Sequence, residues 1–194
     1  MPKLGMEPIR REALVRATIA EVGLQGSLDV TVSQIARRAG MSSALAHHYF
    51  GGKDQIFLAA MRQILRDYGT STRKALARAR TPRARVEAIL EESFAAPNFH
   101  TEVIAAWLSF YVHAQTAPEA HRLLEVYRRR LHSNLTHALR PLTGRAAPGQ
   151  ARILGALIDG IYIRSALAQP APDRGEALEQ LMHVLQHLLA EGRT

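Results

Sequence analysis

The stretch TVSQIARRAGMSSALAHHYFGGK, residues 31–53, decides the fold of this chain. Thr31 and the glutamine three positions later form a capping box, which predicts the start of a short helix. Gly40 ends that helix, because glycine readily adopts the left-handed backbone of a helix C-cap. Ser42 caps a second short helix that runs to about Phe50. Two short helices joined by a tight turn predict a helix-turn-helix, whose second helix enters the major groove of DNA.

The rest of the chain shows helical periodicity and proline punctuation, with no alternating strand pattern. A first helix is predicted over residues 9–22, ended by Gly23 and Gly26, and a long helix over residues 53–79. Further helices are predicted at about 83–95, 102–116, 119–140, 149–168 and 173–191, with Pro97, Pro118, Pro141, Pro148, Pro170 and Pro172 at or near their boundaries. The predicted fold class is all-α with about nine helices.

Composition and charge indicate a polyanionic partner. The 194 residues contain no cysteine, which excludes disulfides and thiolate metal sites. No apolar run is long enough for a signal peptide or a membrane span, so we expect a cytoplasmic protein. The net charge is +8, and residues 1–80 contain 13 Lys and Arg against 6 Asp and Glu. The positive excess therefore lies with the helix-turn-helix, as expected for a phosphate-binding domain.

Two domains are expected: residues 1–53 as the DNA-binding domain, and residues 54–194 as a helical ligand-binding and dimerisation domain that begins with a connecting helix at 54–79. The last two helices carry broad apolar stripes. These stripes either cap the core or form a four-helix bundle across a twofold axis. A reader of a palindromic operator needs two recognition helices, which favours a homodimer through the last two helices.

The N-terminal pattern resembles the TetR family of bacterial repressors. The residues that carry the resemblance are Thr31, Ile35-Ala36, Ala39-Gly40-Met41-Ser42, Tyr49-Phe50 and Lys53. The runs MPKLGM, IRR, QIARRAGMS, HYF, AAWLSFY, RRLHSNL and ALIDGIYIRSAL resemble a choline-responsive branch of that family. The resemblance implies a repressor of the genes that convert choline to the osmoprotectant glycine betaine, relieved or modulated by choline. This chain departs from the family at Ala46 and His47, where many members have Leu and Tyr.

Candidate DNA contacts divide into phosphate anchors and base readers. Free N–H groups and the helix dipole favour phosphate at a helix N-terminus, which points to Thr31 and Ser33 on the first short helix and to Ser42 and Ser43 on the second. Lys53 adds a point charge. The resemblance implies that the hydroxyl of Tyr49 donates to a phosphate and that Lys53 contacts the backbone. It also implies that the residues facing the groove are Ser43, Ala44, Leu45, His47 and His48. Arg37 and Arg38 are open alternatives, as DNA contacts or as solvated surface.

Candidate ligand residues lie in the C-terminal domain. Trp107, Phe110 and Tyr111 share one helix face. Asp159 and Tyr162 interrupt an apolar helix, where a buried carboxylate requires a partner. Aromatic faces and a carboxylate suit a quaternary ammonium ion through cation–π attraction. The alternatives are an ordinary aromatic core, and an Asp159 paired with Arg164 or with an arginine of another helix.

Two competing functions are weighed against a choline-responsive repressor. A helical enzyme would rely on His183 and His187, whose spacing suits a metal, but no third ligand, phosphate loop or nucleophile elbow is evident. We therefore expect no catalytic residue, metal or cofactor. The other alternative is a TetR-type repressor of a different regulon, such as drug efflux, that responds to lipophilic cations.

Overall fold

The computed structural model describes residues 6–168 and 173–191. Within these ranges the chain forms nine α-helices and one short 3-10 turn, and no β-strand. The helices are α1 (Met6–Gln25), α2 (Val32–Arg38), α3 (Ser43–Phe50), α4 (Lys53–Arg78), α5 (Pro82–Ser93), α6 (Thr101–His113), α7 (Pro118–Thr143), α8 (Ala147–Leu167) and α9 (Arg174–Glu191). The predicted all-α class is confirmed. Most of the MPKLGM run, together with Pro170 and Pro172, lies outside the described residues.

The helix-turn-helix caps form as the sequence predicts. The hydroxyl of Thr31 accepts the backbone N–H of Gln34 at 3.2 Å, and the backbone N–H of Thr31 donates to the side-chain oxygen of Gln34 at 2.7 Å. The hydroxyl of Ser42 accepts the backbone N–H of Leu45 at 3.2 Å. Gly40 adopts a φ of +69°, which a residue with a Cβ rarely does. These local bonds fix where α2 and α3 begin and end.

Two of the predicted helix boundaries are wrong. Helix α1 continues through Gly23 and ends before Gly26, whose φ is +64°. Gly23 is needed for a close approach instead, since a Cβ there would lie 2.5 Å from the Cα of Glu102 on α6. Pro141 lies inside α7, two residues before its end. Proline removes one i→i−4 hydrogen bond, and the loss is small there because that bond lies in the last turn of the helix.

The helices form an N-terminal unit, α1 to α3, joined to a C-terminal bundle, α5 to α9, by the long helix α4. Helix α1 packs on both α4 and α6, and α8 packs on α6, α7 and α9. The buried apolar residues of both units form one connected cluster. Helices α4 and α6 therefore connect the N-terminal unit to the interior of the C-terminal bundle. None of the described helices is both long and apolar enough to cross a membrane.

We predict that Gly23→Ala destabilises the junction of α1 and α6, because its methyl group would meet the backbone of Glu102. Overpacking of this kind costs about 1–3 kcal/mol of unfolding free energy, measurable by urea denaturation. Gly69→Ala on α4 is the matched control, since the nearest atom to its Cβ is the end of the Arg73 side chain at 3.7 Å. Equal stability of the two variants would contradict the close contact.

Candidate functional site

Helices α2 and α3 form the helix-turn-helix of the chain. Their N-terminal turns meet where the hydroxyls of Ser33 and Ser43 lie 2.9 Å apart. Ala46 is fully buried between the helices. The residues predicted to contact DNA all reach the surface. Six are exposed, namely Thr31, Ser33, Ser42, Ala44, His47 and His48, and four are half-buried, namely Ser43, Leu45, Tyr49 and Lys53.

Helix α1 supports the C-terminal end of the recognition helix. A guanidinium nitrogen of Arg11 donates to the carbonyl of Tyr49 at 2.7 Å, and its central carbon lies 4.4 Å from the ring centre of Phe50. Arg10 donates to the hydroxyl of Tyr49 at 3.4 Å. Sequence reasoning missed both arginines, because their partners are almost forty residues away and no local pattern signals the contact.

Lys53 and the two arginines of α2 already have structural surroundings. The ammonium of Lys53 donates to the carbonyl of Leu28 at 2.8 Å, which ties the loop after α1 to the start of α4. An ammonium has three donors, so two remain for phosphate. Arg38 pairs with Glu21 of α1, whereas Arg37 is exposed without any such pairing to a carboxylate among the described residues.

An aromatic chamber lies inside the C-terminal bundle. The ring of Trp107 lies 4.8 Å from Tyr127, 5.7 Å from Tyr111 and 6.1 Å from Tyr162, measured between ring centres. The lining residues are Ile64, Tyr68, Ser93, Asn98, Trp107, Tyr111, Tyr127, Ile158 and Tyr162. The chamber encloses about 20 Å³, which is room for roughly one water molecule. A larger ligand enters only if these side chains move.

The structure brings together four of the five predicted ligand residues. Trp107, Tyr111 and Tyr162 line the chamber, and Asp159 is reached through Tyr111. Phe110 is fully buried but faces away from the chamber, with its ring centre 6.4 Å from that of Phe57. Because Phe110 lies three residues after Trp107 on α6, its side chain is directed towards α4.

Two lining tyrosines were missed by sequence reasoning. Tyr68 belongs to the apolar stripe of α4, and Tyr127 lies beside the arginine run of α7. Neither residue forms a local motif, because each reaches the chamber only through helix packing. A polar aromatic on the inward face of an amphipathic helix is the one signal that could have marked them.

Asp159 is a partly buried carboxylate held by two helices. The hydroxyl of Tyr111 donates to one of its oxygens at 2.9 Å, and the Arg128 side chain lies 3.7 Å from the other. Burial raises the pKa of Asp159, against the opposing effects of the Tyr111 hydrogen bond and the Arg128 charge. The pKa of Tyr111 is raised in turn, by burial and by the Asp159 charge. The partner arginine thus comes from another helix, α7, and is not Arg164.

A chain of aromatic contacts joins the chamber to the connecting helix. Trp107 lies 5.8 Å from Phe110, and Phe110 lies 6.4 Å from Phe57, between ring centres. Phe57 also faces His113 at 5.8 Å. Because Phe57 lies in the first turns of α4, these contacts connect α6 at the chamber to the start of the helix that follows the helix-turn-helix.

Two family profiles match separate parts of the chain. Residues 14–60 match the profile of bacterial regulatory proteins of the tetR family, and residues 82–190 match that of the BetI-type transcriptional repressor C-terminal domain. The chain belongs to the TetR family, with a BetI-type C-terminal domain. The HTH-type transcriptional regulator BetI of Brucella melitensis is 55% identical over 179 residues, covering 92% of this chain and 90% of that protein. The BetI regulator of Agrobacterium fabrum is 51% identical and covers 86% of this chain and 82% of its own.

Solved structures of transcriptional regulators share the fold of this chain. A transcriptional regulator from Saccharomonospora viridis, crystallised in complex with choline, superposes with a TM-score of 0.82 at 20% identity and covers 91% of this chain and 95% of that one. A TetR regulator from Haloarcula marismortui gives 0.83 at 21% identity, covering 95% and 98%. TetR regulators bind operator DNA and small-molecule effectors, so the chain is a transcriptional regulator and not an enzyme.

We predict that Arg11→Ala loosens the recognition helix, because it removes the bond to the Tyr49 carbonyl and the contact with the Phe50 ring. The expected loss of unfolding free energy is about 1–2 kcal/mol, with weaker DNA binding, measured by thermal denaturation and fluorescence anisotropy. Arg16→Ala is the control, since Arg16 is exposed and pairs with Glu12 one turn away on the same helix. The contact has no role if both variants bind DNA alike.

Proposed function

We propose that this BetI-type regulator represses the genes that make glycine betaine from choline, and that choline relieves or modulates the repression. The observation that carries the proposal is the aromatic chamber with the Asp159 carboxylate at its edge. A quaternary ammonium ion has no N–H to donate, so its recognition depends on aromatic faces and on a nearby negative charge. The identity to BetI proteins over most of the chain supports the same effector.

Because the chamber is small, an effector has to displace the side chains that line it in order to bind. A cavity of about 20 Å³ has to expand around choline, and the rings that line it belong to α4, α6, α7 and α8. Displacement of Trp107 shifts Phe110, which contacts Phe57 at the start of α4. Effector binding and DNA binding are thereby linked, and each weakens the other by the same factor.

In this proposal, residues 1–53 form the DNA-binding domain, and residues 54–194 form the domain that binds the effector and dimerises. Phosphate contacts are assigned to the helix N-terminal serines and threonine, to the Tyr49 hydroxyl and to Lys53, which keeps two donors beyond its bond to Leu28. The exposed and half-buried side chains of α3 are assigned to base edges; they are Ser43, Ala44, Leu45, His47 and His48.

An apolar stripe on α8, which no other described helix covers, supports a homodimer. Ile153, Ala156, Gly160, Ile163 and Leu167 follow one another at helical spacing on the side facing away from the core. Ile153, Ile163 and Leu167 are 50%, 38% and 72% exposed, and a Cβ on Gly160 would meet nothing within 4 Å. A helix that is apolar on both sides is normally buried on both, which here requires a second copy. The two recognition helices would then lie about 34–36 Å apart, matching a palindromic operator.

Choline is favoured over the bulky lipophilic cations of a drug-efflux regulator because it requires a smaller expansion of the chamber. A compact, tyrosine-lined cavity with one carboxylate suits a small cation with a hydroxyl group, whereas broad drug pockets are several hundred Å³. Isothermal titration calorimetry of the full chain with choline, glycine betaine and tetraphenylphosphonium separates these alternatives. We expect saturable binding of choline, weaker binding of betaine because its carboxylate meets Asp159, and no binding of the bulky cation.

We predict that Trp107→Leu loses the choline response but keeps operator binding. Leucine keeps apolar volume in the core and removes the π face, so affinity for choline falls at least about tenfold. Calorimetry measures the first effect, and anisotropy with operator DNA measures the second. Leu139→Ala is the control, since Leu139 is fully buried on α7 and lies outside the chamber. A Trp107 variant with normal choline affinity would remove this residue from the site.

We predict that choline binding weakens on acidification, with Asp159 as the titrating group. Burial raises the pKa of Asp159, so the carboxylate takes up a proton at a higher pH than a free aspartate and its attraction for the cation is lost there. Because the raised pKa belongs to the folded state, ionisation of Asp159 lowers the free energy of unfolding as the pH rises through that range. Calorimetry from pH 4 to pH 8 checks the profile.

The matched pair for this experiment is Asp159→Asn and Asp67→Asn. The Asp159 variant is expected to bind choline weakly with a flat pH profile, because it has no charge to lose. Asp67 is exposed on α4 and is expected to leave the profile unchanged. A pH dependence that survives in Asp159→Asn would assign the titration to another group.

We predict that Ile163→Glu converts the dimer to a monomer, because it places a charge in the apolar stripe of α8. Sedimentation velocity reads the change directly, and operator affinity should fall with it since one protomer reaches only one half-site. Val112→Glu is the control, because Val112 is an exposed apolar residue on α6, 59% accessible and outside the stripe. A dimer that persists in Ile163→Glu would place the interface elsewhere.

A further inference from the structure

A groove separate from the aromatic chamber runs between α4 and α7. It encloses about 540 Å³, within the range of small-molecule sites and far larger than the chamber. Helices α4 and α7 both pack on α5, and the groove lies where they diverge from each other. Its apolar lining is formed by Leu65, Tyr68, Leu76, Leu123, Val126, Tyr127 and Leu131.

Four arginines line this groove, and no acidic residue does. Arg62, Arg66 and Arg73 come from α4, and Arg130 comes from α7. Among residues 6–168 and 173–191, Arg62 is the one member of the four with a carboxylate within 4.0 Å, that of Glu119 at 3.7 Å. The groove therefore combines an apolar floor with uncompensated guanidinium groups, and this combination has no part in binding a choline-like cation.

Guanidinium groups above an apolar floor select a particular chemistry. A planar guanidinium pairs a carboxylate through two parallel hydrogen bonds, which gives geometric selectivity as well as charge attraction. The leucine side chains gain from burying an aliphatic chain, which a phosphate backbone or a free inorganic anion does not supply. Arg62 and Arg73 are separated by eleven residues of α4, about 16 Å along the helix axis, so the charges flank the apolar floor along its length.

We propose that this arginine groove is a second ligand site, which binds an amphipathic anion consisting of a carboxylate on a single aliphatic chain. This proposal does not depend on choline binding in the chamber, because the groove and its arginines do not include Asp159. It is nevertheless adjacent to the chamber, since Tyr68 and Tyr127 line both cavities. An occupant of the groove therefore presses on the wall of the chamber, and binding at the two sites is coupled reciprocally.

The test is calorimetry of the full chain with decanoate kept below its micelle concentration. Decanol has the same chain without the charge, and acetate has the charge without the chain. We expect saturable binding of decanoate, and binding of decanol and acetate weaker by at least about tenfold, since each lacks one of the two contributions. Absence of saturable decanoate binding, or equal binding of decanol, would overturn the proposal.

Variants localise the binding. Arg66→Gln combined with Arg73→Gln is expected to weaken decanoate binding about tenfold or more, and Arg130→Gln to weaken it as well. Arg129→Gln is the matched control, since Arg129 is the exposed neighbour of Arg130 and lies outside the groove. Circular dichroism verifies that each variant is folded. Unchanged affinity in the folded double variant would place the anion elsewhere and refute the assignment.

Two alternative partners, DNA and an anionic membrane surface, would give different results. If the groove served DNA, the double variant would lose affinity for nonspecific DNA and show a smaller salt slope, with no decanoate binding in the wild type. If it served a membrane surface, the protein would sediment with anionic phospholipid vesicles but would not bind monomeric decanoate. Either pattern contradicts the proposed ligand.

Discussion

The edge-to-face contact between Phe110 and Phe57 is the interaction on which the architecture depends. Phe110 is fully buried beside Trp107, and Phe57 is buried in the first turns of α4. Their contact therefore joins the interior of the C-terminal bundle to the start of the helix that follows the helix-turn-helix. The approach of α1 to α6 at Gly23 closes the same junction from the other side. Protein interiors are packed too densely to absorb a shift locally. The two units therefore share one continuous core, through which a displacement at either end can reach the other.

Much of the fold was predictable because its signals are local. The capping box at Thr31, the serine cap at Ser42 and the positive φ of Gly40 are each determined by a few neighbouring residues, and all three form as expected. Helix periodicity placed the helices of the bundle within a few residues of their observed bounds. The errors at Gly23 and Pro141 share a cause: glycine and proline were interpreted as helix breakers, whereas packing against α6 and proximity to a helix end determined their places.

The candidate sites were predictable only in part because they are assembled across helices. Trp107 and Tyr111 carried a local signal, but Tyr127, whose ring is nearest to that of Trp107, carried none. The same holds for Arg11, whose support of the recognition helix depends on a contact almost forty residues away. Asp159 was recognised as requiring a partner, and sequence spacing alone left several arginines open. Arg128 is selected by the crossing of α7 over α8, which periodicity cannot specify.

Under the proposed function, the closed state of the aromatic chamber would also set the sensitivity of the regulator. An effector that binds only an opened chamber has its apparent affinity reduced by the fraction of molecules that are open. The concentration at which the regulator responds is then determined by the packing of α6, α7 and α8 as much as by contacts with the ligand. Substitutions that loosen these helices without touching the chamber would lower the response threshold, and those that tighten them would raise it. Evolution can retune such a sensor through its hydrophobic core and leave the recognition chemistry intact.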